Sequence, residues 1–378
     1  MHQRRAMRAA GAACVCACLV VPAVLRGERD GQRPTNAIQA LVSDYRRGDA
    51  EAAMREFLAW DPQRVAREAT LPADAPPADL AALALMHTAA AVARGTFGNA
   101  STPPVPDRTY YPAAANLVEA LSRRAETAAD PGLRAFCRDW YIVAVSAWTA
   151  GGNYAQALAV VRTGRRRFGD DARFLLAAGS AAEAAMGPYE SPAEAAAARA
   201  PSTPTITVRR LASHGYVTDD RREAEQWLRR AVTLDPGLVE ARLRLGRVLF
   251  LVDYVPQARK ELERALADAT AADHPFAAYL AALFLGELLE RSSQTDAARQ
   301  AYEKAISINP GCQAAYLALG HLLVASGRPV EGWAQARRLF GDAGAPRTRA
   351  PDPWFLYRGA QFWQSETLLK GMVQWVRN

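Results

Sequence analysis

The feature that most constrains this chain is a helical pattern cut by proline and resumed at once. In "QAYEKAISINPGCQAAYLALGHLL", from Gln300 to Leu323, apolar residues recur at helical spacing on both sides of Asn309-Pro310. Proline has no N–H to give to a helix and pushes the residue before it out of the helical region. The segment therefore reads as helix, tight turn, helix. The pattern returns along the chain: Leu319-Gly320 stands 34 residues after Leu285-Gly286, and Ala258 stands 34 after Ala224. Asp235-Pro236 ends one helix as Asn309-Pro310 ends another, and Leu245-Gly246 stands 40 before Leu285-Gly286, the same period plus an insertion around residues 272–278. Two helices per period of this length mark a helical solenoid, in which each unit packs on its neighbours.

The small residues predict where backbones meet. Gly246, Gly286 and Gly320 fall on first helices of the units, and Ala224, Ala258 and Ala298 on second helices. Leu228, Leu262 and Tyr302 lie four residues after those alanines, one turn along the same face, and fill the space the small residues leave.

At these positions the chain resembles the tetratricopeptide repeat family. The resemblance is carried by "LFLGELLERSSQTDAARQAYEKAISINP", from Leu283 to Pro310, and by "GGNYAQALAVV", from Gly151 to Val161, with "RRGDAEAAMREF" in 35–60 similar to half a repeat. It implies an all-α fold: a right-handed α-solenoid of helix-turn-helix repeats, with irregular N-terminal helical hairpins over 35–130 and a C-terminal capping helix over 352–377. The solenoid is expected over 138–346, in units 138–171, 172–238, 239–278, 279–312 and 313–346. The second unit is too long, which predicts a Pro-bearing insertion over 187–220 with a short helix at 193–199 and an N-cap at Asp219-Asp220.

The resemblance also implies a binding groove along the face lined by first helices. Its aliphatic row is Ile142, Leu176, Leu243, Leu283 and Leu317, and the next turn carries Ser146, Ser180, Arg247, Glu287 and His321. The partner-binding residues expected are Ile142, Leu176, Leu243, Arg247, Leu283, Glu287, Leu317 and His321, with packing against neighbouring helices as the competing role for the aliphatic ones. Family members that clamp a C-terminal carboxylate carry Lys and Asn where Leu243 and Arg247 stand, so that mode of binding is not expected.

No pattern for catalysis is present: GxxxxGK[ST], GxSxG, HExxH and CxxC are all missing. His87, His214, His274 and His321 lie far apart in sequence, and His87 in "LALMHTAAAV" reads as a core residue. Glu287 and Glu290 read as a solvated helix rim. The expectation is a non-enzyme without cofactor or metal, binding a protein or peptide and no small-molecule substrate. Nucleic acid is excluded by the character of the charge. Arg4, Arg5 and Arg8 supply three of the net +7, and elsewhere Arg is interspersed with acids, as in "RREAEQWLRR", instead of forming a basic track.

The first residues predict export. "MHQRRAMRAAGAACVCACLVVPAVLRG" has a basic start, an apolar run from Ala9 to Leu25, and Val21-Pro22-Ala23 as a small-residue cleavage site, so 1–25 reads as a signal peptide or N-terminal anchor. Lipidation at Cys18, an uncleaved anchor with the repeats outside, and a non-exported apolar leader are the alternatives. The location expected is periplasmic or the cell envelope, with N-terminal membrane association if the anchor stays. Cys137 and Cys312 fit buried free thiols, since a bridge between them would have to cross several repeats.

The C-terminal stretch "DPWFLYRGAQFWQSETLLKGMVQWVRN" holds six aromatics and an apolar stripe at Leu369, Met372, Val373 and Val376. Three uses are open: capping the last repeat, folding back into the groove, or membrane-surface contact. Two functions follow. One is a scaffold that binds a partner in its groove; the alternative is an accessory or regulatory subunit docked through its aromatic C-terminus.

Overall fold

In a computed structural model the chain is described over residues 37–98, 104–127, 130–186, 216–340, 352–358 and 365–378, and all of its regular structure there is α-helical. The expected leader at 1–25, the short helix at 193–199 and most of the insertion lie outside these residues. The helices divide into two compact units, 1–169 with 361–378, and 170–360.

The first unit contains α1 (Ala37–Arg47), α2 (Ala50–Ala59), α3 (Pro62–Glu68), α4 (Pro77–Ala93), α5 (Tyr110–Thr127), α6 (Pro131–Ala150) and α7 (Tyr154–Phe168). Aspartates start several of them. Asp49 accepts from the Ala52 amide at 2.9 Å, Asp61 from Arg64 at 2.8 Å, and Asp130 from Gly132 at 2.8 Å; Pro62 and Pro131 occupy first-turn positions where no amide is needed. Every residue of α4 from Leu80 to Ala91 is buried, so this helix is apolar all round and forms the centre of the unit, with α1, α2 and α5 packed on it. His87 lies in that centre against the Phe57 ring, 5.2 Å between centroids, and the Trp140 indole donates to Thr88 at 2.9 Å.

The second unit contains α8 (Ala172–Ala185), α9 (Tyr216–Leu234), α10 (Val239–Leu251), α11 (Val255–Ala271), α12 (Pro275–Arg291), α13 (Thr295–Ile308), α14 (Gln313–Ala325) and α15 (Pro329–Phe340). Each helix packs on the next in order, and the first helices of successive pairs, α8, α10, α12 and α14, also touch in sequence. The helix-to-helix approach follows the small residues. A Cβ built on Gly246 would lie 2.8 Å from Leu262, one on Gly286 2.4 Å from the Tyr302 ring, and one on Gly179 2.5 Å from Leu228. The large residues predicted one turn beyond the alanines do sit over the glycines.

The turns inside pairs are built alike. Asp253, Ser293 and Gly327 adopt positive φ, and the next amide reaches back across the helix end: Tyr254 to Leu249, Gln294 to Leu289 and Arg328 to Leu323, each at 2.9 Å. This is the left-handed cap that satisfies the last carbonyls of a helix. Asp273, between α11 and α12, makes the same turn. Thus the extra residues expected as an insertion around 272–278 do not form a loop. They lengthen α11 and α12 to 17 residues each, against 14 in α13 and 13 in α14. A second difference is at the end of the 187–220 insertion, where α9 already begins at Tyr216, placing Asp219 and Asp220 within the helix instead of before it.

The C-terminal stretch forms two helices with separate fates. α16 (Pro353–Arg358) belongs to the second unit and packs on α12. α17 (Ser365–Arg377) belongs to the first unit and lies on α6, α4 and α1. There Arg46 donates from Nε to the Val376 carbonyl at 2.7 Å, and the Trp375 ring lies 5.2 Å from Phe136 over Gly132, where a Cβ would be 2.4 Å from the indole nitrogen. The helix expected to close the last repeat therefore closes the N-terminal unit: its apolar stripe, Leu369, Met372, Val373 and Val376, is buried there.

Candidate groove on the first-helix face

The second unit presents its first helices as one face, and charged residues stand on that face where apolar ones would be ordinary. Glu183 of α8 and Arg244 of α10 are almost wholly buried. Arg244 donates from Nη1 to Glu183 at 2.8 Å and from Nε to Glu240, one turn earlier, at 2.9 Å. Buried charges are tolerable when each is paired and hydrogen-bonded in this way. Burial raises the Glu240 carboxyl pKa against the pull of Arg244. For Arg244, burial works toward lowering it, but Glu240 and Glu183 outweigh that and hold the guanidinium charged. One step along, Arg247 pairs with Glu287 at 2.6 Å, and Glu290 accepts from the Tyr302 hydroxyl at 2.7 Å while its other oxygen stands 3.1 Å from His321 Nδ1.

Residues 352–358 lie on this face. The Tyr357 hydroxyl donates to Glu183, and the Arg244 guanidinium lies over the Tyr357 ring at 4.2 Å. Trp354 stacks on Tyr357 at 6.1 Å, with planes 11° apart, and Phe284 of α12 meets both rings edge-on at 5.6 and 5.0 Å. Arg247 lies 5.9 Å from the Trp354 ring. Asp352 holds the end of this segment. One oxygen accepts from the Trp354 amide at 2.9 Å and starts α16, and the other accepts from the Ala314 amide in the first turn of α14 at 2.9 Å. A carboxylate at a helix N-terminus meets both free amides and the positive end of the helix dipole. Tyr279 adds its hydroxyl at 3.4 Å. Of the three uses expected for the C-terminal stretch, folding back onto the groove describes 352–358.

The expected groove residues separate accordingly. Leu176, Leu243, Arg247 and Leu283 are buried, so in this structure they are floor, not free surface; the packing role foreseen for the aliphatic row holds for these three leucines. Glu287 is engaged by Arg247. Leu317 is 42% exposed and the His321 side chain 35%, and these two on α14 are the open part of the row. Ile142 is buried in the other unit, on α6, and is not part of this face. Glu183, Arg244, Phe284, Trp354 and Tyr357 were not among the expected site residues. The trace of Glu183 and Arg244 in the sequence is charge in apolar surroundings, one Glu in "LLAAGSAAEAA" and Arg amid "RLRLGRVLF", whereas Trp354 and Tyr357 belong to the aromatic stretch for which folding back was one of the expected uses.

Among the nucleophile candidates, burial pushes the Cys137 and Cys312 thiols up to about 12 and lowers His87 to about 4. These groups are neutral core residues at neutral pH. No helix among the described residues is long and apolar enough to cross a membrane.

Residues 281–312 match the family model of the tetratricopeptide repeat. That span covers most of α12, all of α13 and the turn to α14. No curated protein matches the chain. Similar solved structures include the crystal structure of MamA, 23% identical over 49% of this chain and 85% of that one, TM-score 0.35. MamA residues 41 to the end from Desulfovibrio magneticus RS-1 are 17% identical over 60% and 92%, TM-score 0.35. YrrB, described as a TPR protein with an unusual peptide-binding site, is 15% identical over 60% and 95%, TM-score 0.38. Global superposition is poor at such scores, and the repeat assignment rests on the residues of 281–312.

Proposed function

We propose that this chain, a member of the tetratricopeptide repeat family, is a non-catalytic scaffold that holds a protein or peptide partner on its first-helix face and works in the cell envelope. The observation that carries this reading is the face itself: an apolar floor with polar pairs, the Arg247–Glu287 ion pair and the Glu290–His321 contact, opening to solvent at Leu317 and His321. Such a surface can bury side chains of an extended segment while its polar row meets the segment's backbone and charges. The alternative of docking through the aromatic C-terminal helix is disfavoured, because the stripe that would dock is spent on α1, α4 and α6. The non-catalytic part is supported by the state of the thiols and of His87, which burial makes poor nucleophiles and bases.

The envelope location rests on the basic and apolar character of 1–25. The N-terminal sequence of the protein recovered from its own cells tests it, with cleavage after Ala23 expected and an intact, unlipidated N-terminus in a soluble cell extract opposing it. For the groove, photo-crosslinkers placed at Leu317 and His321 in living cells are expected to trap a discrete protein, and Leu317→Arg to abolish that adduct without loss of helicity. Absence of any adduct at both positions would remove the groove as the binding surface.

A further inference from the structure

Residues Asp352–Arg358 contact the repeats as a bound peptide would. They are not needed to join one repeat to the next, since the helices of neighbouring repeats pack on one another directly, α9 on α10, α11 on α12 and α13 on α14. The segment instead lays side chains on three first helices and on the start of a fourth: Tyr357 on Glu183 and Arg244, Trp354 and Tyr357 on Phe284, and Asp352 on the Ala314 amide. The charges beneath it are already neutralised by the repeats. Glu183 and Glu240 share Arg244, and Glu287 holds Arg247, so lifting the segment would strand none of them without a partner of opposite charge. What the segment supplies is a carboxylate, an aromatic ring two residues on, and a phenol three residues beyond that.

We propose that Asp352–Arg358 is an internal pseudo-ligand, and that the partner of the groove is a protein segment of the same chemistry, an acidic residue followed at +2 by a large aromatic and at +5 by tyrosine. This rests on the scaffold reading above and adds what the scaffold recognises. Each chemical element has its own receptor: the helix N-terminus of α14 takes the acid, the Phe284 and Arg247 pair takes the first ring, and Arg244 with Glu183 takes the phenol. A tether presents the internal segment at an effective concentration in the mM range, so a free segment of equal intrinsic affinity competes poorly until the internal one is weakened. Binding to a partner is thereby restricted to segments that outcompete it, by affinity or by a second attachment.

The test uses a fluorescent, end-blocked peptide, Asp-Pro-Trp-Phe-Leu-Tyr-Arg, titrated into the full-length protein and into the full-length double variant Trp354→Ser, Tyr357→Ser. The variant is expected to bind the peptide at least tenfold more tightly than the wild type, and a peptide with both aromatics replaced by serine is expected to lose that binding. Failure of the folded variant to bind at 1 mM peptide, or equal affinity for both proteins, would overturn the proposal. Should the double variant lose its helical circular dichroism, Asp352→Ala, which removes only the anchor at α14, takes its place; an intermediate gain in affinity supports the proposal and no gain overturns it. None of these failures bears on the scaffold reading, which the crosslinks at Leu317 and His321 decide separately. A crosslinked partner whose trapped segment has no aromatic pair would leave the scaffold standing and remove the pseudo-ligand.

Discussion

Tyr357 gives its hydroxyl proton to Glu183, a residue 174 positions earlier, at a point where both side chains are buried and Arg244 bridges the carboxylate to the tyrosine ring. The bond ties the C-terminal segment to the first repeat of the second unit and completes the solvation of a carboxylate that water does not reach. Burial, and then Glu183, raise the phenol pKa far above its ordinary value, so it stays a donor at every pH the protein meets. Tyr357→Phe should therefore cost about 1–3 kcal/mol, the penalty for leaving a buried acceptor short of a partner. Glu183→Gln should cost more, about 3–5 kcal/mol, since it strands Arg244 with half its compensation. Urea unfolding followed by circular dichroism measures both, and equal effects of the two would place the phenol, not the ion pair, as the dominant contact.

The Gly286–Tyr302 approach sets a second expectation. Alanine at 286 would normally favour a helix by up to about 1 kcal/mol, but its Cβ would stand 2.4 Å from the Tyr302 ring, a distance no real contact keeps. Overpacking of that kind costs about 1–3 kcal/mol, so Gly286→Ala should lower the melting temperature despite the better helix former. Shrinking the obstacle, in Gly286→Ala with Tyr302→Leu, should recover part of the loss relative to the sum of the single changes. Simple additivity would show that the close approach is not what makes glycine necessary.

The repeat was legible because it is local. The period, the glycines and the residue one turn beyond each alanine all lie within a unit, and the structure places them as the spacing implies. The turns were less so: Gly327 announces a left-handed residue, but Asp253, Asp273 and Ser293 adopt the same geometry with ordinary side chains, and only the ladder of amides around them reveals it. The groove was half legible. Its aliphatic row could be counted out along the helices, but nothing local marks Glu183 and Arg244 as buried, because a charge on a helix is normally solvated. Tyr357 meets both of them, and no periodicity connects positions so far apart. The C-terminal stripe likewise promised a buried face without naming what buries it, and the division of that stretch between two units has no counterpart in local pattern.

His87 predicts a pH dependence confined to the first unit. Both ring nitrogens are buried without a hydrogen bond, the ring packs against Phe57 and Tyr110, and burial holds its pKa at about 4, against 6.5 for the exposed group. The folded state thus binds fewer protons than the unfolded chain between these values. Stability is whole above pH 6.5 and falls as pH drops toward 4, by about 3 kcal/mol over the window, since each pKa unit carries 1.36 kcal/mol. His87→Leu should flatten that part of the stability profile while leaving the neutral value within about 1 kcal/mol. A wild-type profile flat from pH 6.5 to 4 would mean that the ring is hydrated or bonded in solution.

The C-terminal helix gives the most far-reaching expectation, because it shares a core with helices far from it in sequence. α17 buries Leu369, Met372, Val373 and Val376 against helices that begin the described chain, and Arg46 secures its last turn through the Val376 carbonyl. Removing residues 365–378 uncovers that apolar face and leaves the buried Arg46 with Asp79 but without the carbonyl. Burial of four such side chains is worth several kcal/mol at roughly 1.5–3 kcal/mol each, a large share of the stability of a unit this size. Hydrogen exchange should then show lost protection across α1, α4 and α6, while α10 to α13, whose packing is internal to the second unit, keep theirs. Uniform loss across both units would show that the two unfold together; unchanged protection in α1, α4 and α6 would show that α17 is only laid on the first unit and does not hold it.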